Sequence, residues 1–286
     1  MQIQNNSISN RALIGIGATT AGVGAIGAYK FINKKDTFEK IPISDVATTK
    51  KHETIAKLAQ DCSEHDGLGK IDGFNSIKKI ENAKTGFAAS VYKNDFTDEI
   101  VISYRATKNQ AGVENVLQMM EEKIPSQFQD AQKLYKQIQK EFPNQKITVS
   151  GHSLGGSLAQ LVAAKNPNVK AITFDSFGTS SIIKANKKSF LEKANCINYR
   201  TNGSFISALR QHPGKTMSIK KICKEGSKHD IINFIDLQGA QCIKKAKGFS
   251  IKRFFSDIIA SHSKFFLEKL PILKKKLPKM FFKGIR

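Results

Sequence analysis

Between about residues 41 and 237 the apolar positions switch repeatedly between the two-residue period of a strand and the three-to-four-residue spacing of a helix. Residues 87–92 and 99–104 read as strands separated by the turn-rich KNDFTD, so they are expected to pair as a hairpin. Residues 127–142 read as a helix. The β-branched run Ile147, Thr148, Val149 marks a buried strand over 146–151, and Leu158, Leu161, Val162 and Ala163 recur at helical spacing after it. Residues 170–174 and 196–200 are two further strands. Strands alternating with helices predict an α/β fold, a mostly parallel sheet flanked by helices. No internal repeat is visible.

Both ends depart from this pattern. Residues 12–29 form an uncharged run rich in Gly, Ala and Ile, with Arg11 before it and Lys30, Lys34 and Lys35 after it. Spanning a bilayer takes roughly 20 apolar residues, so the run reads either as a short membrane anchor or as a cleaved export signal with Ala25 and Gly27 as the small-residue pair. As an anchor, its heavier basic flank would keep the following domain on the cytoplasmic side. In the tail, Ile251, Phe254, Phe255, Ile258, Ile259, Phe265 and Phe266 fall on one side of a helix, with Lys252, Arg253, Lys264 and Lys269 on the rest. LPILKKKLPKMFFKGIR follows. Such a segment either lies on a membrane, rings in the lipid and lysines on anionic head groups, or docks its phenylalanines on the main domain. Three parts result: an N-terminal hydrophobic helical segment (1–36), an α/β domain (41–242) and a basic amphipathic helical tail (243–286).

A net charge of +22 over 286 residues calls for an anionic partner. With the basic excess beside paired phenylalanines, and with no zinc-finger spacing, helix-turn-helix signature or RNP-type aromatic motif, an anionic membrane surface is expected and nucleic acid is not. Cys62, Cys196, Cys223 and Cys242 are far apart with no CxxC, which argues against a zinc site or a redox pair and for buried thiols.

The most specific chemistry lies in KITVSGHSLGGSLAQLVAAK, residues 146–165, where Ser153 sits between Gly151 and Gly155 on the turn from strand to helix. That is the context of a nucleophile elbow. A strained turn there exposes the serine hydroxyl, glycines admit close packing, and the helix N-terminus with the Leu154 N–H faces the charge that develops on a tetrahedral intermediate. The alternative is a glycine-rich helix start capped by a serine. A serine hydroxyl needs a base, so a histidine must reach it from a later loop.

Over about residues 50–237 the chain resembles the class 3 lipases, fungal-lipase-like α/β-hydrolases, in the branch of bacterial lipase-like proteins whose elbow reads GHSLGG. EIVISYRATK, residues 99–108, resembles the strand leading to the oxyanion loop; the match implies Thr107 as the second oxyanion donor, with Ala106 where the family has glycine. KHDIINFID, residues 228–236, resembles the histidine loop and implies His229 as the base, whereas His152 packs structurally in relatives. Residues 110–129 resemble a lid, or are simply a surface helix packed on the sheet. Where the family has a GDxVSxL acid segment this chain has GSFISAL, so Ser204 stands at the place of the aspartate. Asp175, at the end of strand 170–174 on the edge where open α/β sheets bind ligands, is the candidate acid by position; class 3 relatives usually have a non-acidic residue there. The other possibilities are a Ser–His dyad assisted by Asn202 or Ser204, and an inactive site.

The resemblance thus implies a serine hydrolase of lipid carboxylic esters, lipase or phospholipase A type, needing no metal or cofactor, membrane-associated or secreted and of bacterial origin. Its rival is a catalytically impaired lipase fold that only binds lipid or membrane.

Overall fold

The computed structural model describes residues 46–237 apart from 66, 68, 192, 205 and 220–228. The hydrophobic segment at 12–29 and the tail at 243–286 lie outside the described residues.

Eight strands form one sheet in chain order. Helix α1 (Val46–Glu64) precedes β1 (Lys70–Ile71), β2 (Phe74–Asn82), β3 (Phe87–Asn94) and β4 (Glu99–Tyr104). These four pair antiparallel, with Ala89 opposite Tyr104 and Lys93 opposite Ile100 in the expected hairpin. From β4 onward every pairing is parallel: β5 (Lys146–His152), β6 (Lys170–Phe174), β7 (Cys196–Thr201) and β8 (Lys215–Ile219). Helices α2 (Gln110–Met120) and α3 (Gln127–Glu141) join β4 to β5, α4 (Leu154–Lys165) joins β5 to β6, and α5 (Ser180–Ala185) joins β6 to β7.

The alternation of side chains along these strands divides the core into two layers. Ile100, Ile102, Val149 and Ala171 point to the face packed by Leu134 and Ile138 of α3 and Leu158, Leu161 and Val162 of α4. Val101, Ile172, Phe174 and Tyr199 point to the other face, where Ile55 and Leu58 of α1 and Phe234 meet them. Helix α4 is buried along its length from Leu154 to Ala164, which accounts for its run of small and aliphatic residues with no polar stripe. Cys62 and Cys196 are buried free thiols; Cys223 and Cys242 lie outside the described residues.

Five parallel strands share one direction, so their C-terminal ends lie along one edge. The chain leaves that edge just before Thr107, at Ser153, at Asp175 and just before Ser204. Four segments far apart in sequence therefore meet above the sheet.

Candidate active site

Ser153 adopts φ 54° and ψ −120°, a conformation costly for any residue with a Cβ, between the last residue of β5 and the first of α4. Two close approaches hold it. A Cβ on Gly155 would stand 2.0 Å from the Tyr104 carbonyl oxygen, and one on Gly151 would stand 2.4 Å from the Gly155 carbonyl carbon. The Ser153 N–H is tied to the Phe174 carbonyl at 3.0 Å, and the Ser153 carbonyl accepts from the Ser157 N–H at 3.2 Å. The serine is thus held on a turn between β5 and α4 whose spacing only glycine permits.

His229 reaches this serine across 76 residues of chain, with Nε2 2.9 Å from Ser153 Oγ. Its Nδ1 lies 3.2 Å from the Ser204 hydroxyl. For Nε2 to accept the serine proton, the imidazole hydrogen must sit on Nδ1, where Ser204 Oγ accepts it. Burial holds the imidazole pKa well below its ordinary value, and the nearby His152 pushes the same way. The ring is therefore neutral at neutral pH, the state a base requires.

Asp175 occupies the expected edge, fully buried, but its carboxylate is bonded elsewhere. Oδ1 accepts the Thr201 N–H at 2.8 Å, and the position next to His229 Nδ1 belongs to Ser204. The direct acid contact expected of Asp175 is replaced by a neutral hydroxyl, because the turn after β7 brings Ser204 to the ring while Asp175 turns toward β7.

His152, beside the nucleophile, donates from Nε2 to the His229 carbonyl at 2.9 Å, and the two rings lie 4.8 Å apart. Burial lowers its pKa to about 4, partly offset by Asp230, so it is a neutral donor at pH 7. The sequence offered no signal for this contact beyond adjacency to the serine. Losing a buried hydrogen bond costs about 1–3 kcal/mol. His152→Phe should accordingly lower kcat about tenfold with KM little changed, and His152→Gln, whose amide can still donate, should recover part of the loss in the same ester assay.

On the oxyanion side the first N–H groups of α4, Leu154 among them, have no acceptor within the helix. The Thr107 hydroxyl is buried with no hydrogen-bond partner among the described residues. Its methyl packs on α2, where a Cβ on Gly112 would meet Thr107 Cγ2 at 2.9 Å. Ala106 stands outside the left-handed region and its N–H donates to the Ser63 hydroxyl at 3.2 Å, so the replacement of glycine leaves the loop anchored to α1.

The comparisons with known proteins bear on this arrangement. The Tle-like phospholipase domain, a phospholipase-like family, matches residues 60–248, about two thirds of the chain. The chain belongs to this family. It shares 47% identity over 51 residues with "Putative lipase ATG15" of Eremothecium gossypii; the match covers 18% of this chain and only 9% of that protein. Among solved structures, a triacylglycerol lipase from Penicillium expansum is similar at 15% identity over 62% of this chain and 81% of that one, with a TM-score of 0.44. The Rhizomucor miehei lipase propeptide complex is similar at 14% identity over 72% and 88%, with a TM-score of 0.42.

In the phospholipase-like domain the lid-like segment is two elements. Met119 of α2 is fully buried and Val113 nearly so. The Asn115 side chain accepts from the Gln127 N–H at 2.9 Å and the Ser126 hydroxyl at 3.1 Å, fastening α2 to the start of α3. Arg210 pairs with Glu122 and donates to the Met120 carbonyl at 3.0 Å, fastening the other end. A lid in its closed position and a surface helix packed on the domain share this arrangement.

Proposed function

We propose that the chain is a serine hydrolase of phospholipase A type, cleaving carboxylic esters of membrane lipids through an acyl-enzyme on Ser153. The observation that carries this reading is the 2.9 Å contact of His229 Nε2 with an elbow serine in a chain of a phospholipase-like family. Ser153 Oγ attacks the ester carbonyl carbon as its proton passes to His229 Nε2. Negative charge moves to the carbonyl oxygen, which accepts from the Leu154 N–H, the Thr107 N–H and the Thr107 hydroxyl. Collapse expels the alcohol, which leaves with the proton from Nε2. Water then attacks the acyl-enzyme, gives its proton to the same nitrogen, and fatty acid departs as Ser153 regains its hydrogen. The positive charge that builds on the imidazole meets a neutral hydroxyl, that of Ser204, at Nδ1, where the resemblance places a carboxylate, so turnover is expected to be slow for this class of site. The route uses side chains and backbone N–H groups alone.

That missing charge also favours a second reading, a lipid-binding module on an impaired hydrolase fold. Product analysis on mixed phospholipid vesicles separates the two. The hydrolase releases fatty acid and lysophospholipid in equal amounts and Ser153→Ala releases neither; a binding module retains vesicles and yields no product with either protein.

The anionic membrane surface enters the proposal through the basic, phenylalanine-rich stretch at 243–286. Each Lys or Arg near an anionic surface adds about 1 kcal/mol, an attraction that falls off within a Debye length. Removing 243–286 should weaken sedimentation with anionic vesicles at least tenfold, and raised salt should weaken that of the longer protein, while hydrolysis of a soluble ester stays largely unchanged. Loss of soluble-ester activity together with thermal stability would instead put the phenylalanines in the core of the domain.

A further inference from the structure

The sheet ladder ends one residue before the segment that carries the second oxyanion donor. The Arg105 N–H still donates to the Ala88 carbonyl of β3 at 2.9 Å. Asn109 caps the following helix, its side chain accepting the Gly112 N–H at 2.9 Å. Ala106, Thr107 and Lys108 lie between these two fixed points. Close packing puts the segment at the nucleophile: a Cβ on Gly155 would also stand 3.0 Å from the Arg105 carbonyl oxygen, so the chain runs against the first turn of α4 just before it reaches Ala106.

Consecutive side chains at the end of α1 reach across to this region, and all of them are buried. Asp61 Oδ2 accepts the Tyr92 hydroxyl of β3 at 2.8 Å. The Cys62 thiol donates to the Ser103 carbonyl of β4 at 3.2 Å. Ser63 Oγ accepts the Ala106 N–H at 3.2 Å. The first two bonds fasten α1 to strands that the ladder already holds, whereas the third lands on a backbone N–H past the ladder's end. A helical serine commonly bonds to backbone close by in sequence; this one accepts from a segment 43 residues away. Beyond Ala106, the Thr107 methyl stands against Gly112 of α2, and no group among the described residues draws the Thr107 hydroxyl elsewhere. The oxyanion segment is thus held by α1 on one side and by α2 on the other.

Resting on the serine-hydrolase reading proposed above, we infer that Ser63 is a positioning residue of the oxyanion hole: its hydroxyl oxygen holds the Ala106 N–H and so orients the next peptide, whose N–H belongs to Thr107. Ser63 touches no substrate. Oxyanion donors work because they are fixed before charge develops, and a donor that must first be drawn into place gives part of that stabilisation back. With alanine at 106, where the resemblance has glycine, the segment keeps its place through this bond to α1.

The test starts from Ser63→Ala, which removes the acceptor and suits a helix. On a soluble ester it should lower kcat about tenfold, a part of the hundredfold or more that loss of a whole oxyanion donor costs, with KM within about twofold of wild type. A trifluoromethyl ketone, whose adduct with the serine places an oxyanion in the hole, should bind more weakly by the same factor. Thr107→Val removes the hydroxyl and keeps the β-branched shape. Combined with Ser63→Ala it should cost well short of the product of the two single losses, because both act on one group. Ser63→Cys, with a poorer acceptor at the same place, should fall between wild type and Ser63→Ala, and it carries the test if Ser63→Ala does not fold. Thermal melting and fluorophosphonate labelling accompany each protein. Unchanged kcat and ketone affinity in a folded Ser63 variant, or losses that multiply with Thr107→Val, would overturn the role of Ser63 alone. A wild type that takes no label overturns the hydrolase reading and this inference with it.

Discussion

Ser153→Ala is expected to lower ester hydrolysis by four to six orders of magnitude, on the order of what removal of a serine nucleophile costs elsewhere, with the melting temperature close to that of wild type. The hydroxyl is half-exposed on its turn, and its contact is with His229, so its removal opens no cavity in either core layer. The neighbours that shape the turn are untouched. Gly151, Gly155 and the carbonyl of Tyr104 keep their spacing, and the Ser153 N–H to Phe174 carbonyl bond involves backbone alone. The measurement is hydrolysis of a soluble short-chain ester beside thermal melting. Full retained activity would remove Ser153 from the mechanism, whereas loss of activity with loss of fold would leave the chemistry unaddressed, which is why both are measured.

Ser204→Asp is expected to raise kcat, by up to about a hundredfold. In serine hydrolases a carboxylate at Nδ1 holds the imidazole and stabilises its positive form, and its neutral replacement costs about 10⁴ in kcat. Ser204 is fully buried against the ring, so a carboxylate introduced there meets the imidazolium in a medium of low dielectric. Only part of the 10⁴ returns, because the site has to accommodate a longer side chain. A carboxylate beside the ring also favours its charged form, so the acid limb of kcat/KM should move upward from its position well below pH 6.5. Ser204→Ala should do the opposite on a smaller scale: it removes the acceptor that fixes the proton on Nδ1 and lowers kcat about tenfold. Rates for the three proteins across pH 4–9 check both directions. A gain with Ser204→Asp is informative because most substitutions at a catalytic site only subtract.

The strands that face the core were legible from their apolar runs. Glu99–Tyr104, Lys146–His152 and Lys170–Phe174 stand within a residue of where periodicity puts them, because buried parallel strands must be apolar on both faces. Phe74–Asn82 escaped notice. Among the described residues it pairs only with β3 and the two-residue β1, and its FNSIKKIEN sequence leaves Lys79 and Glu81 in the half-exposed to exposed alternation of an outer strand. Lys215–Ile219 at the other edge escaped for a similar reason, since its Thr216 and Ser218 carry no hydrophobic signal although both are buried.

The site was legible where the chemistry is local. Strand, glycines and helix around Ser153 lie in a single stretch of sequence, and the elbow follows from them. The base was reachable through the likeness of KHDIINFID to a histidine loop, and His229 does stand at the serine. The partner of Nδ1 was not reachable, because it depends on which way one side chain leaves the sheet edge. Asp175 and Ser204 both emerge there; the Thr201 N–H draws the carboxylate toward β7, and the turn closed by the Ser204 N–H delivers the hydroxyl to the ring. The packing of His152 on His229 was equally hidden, being a contact between residues 77 apart.

The central claim is that Ser153 is a nucleophile activated by His229. It is tested most directly by reacting the protein with a fluorophosphonate probe and locating the adduct by peptide mass spectrometry in wild type, His229→Ala and Ser153→Ala. The account predicts a single adduct on the peptide carrying Ser153, formed at least a hundredfold more slowly in His229→Ala and absent in Ser153→Ala. An unlabelled wild type, or labelling whose rate does not change when His229 is removed, would contradict it.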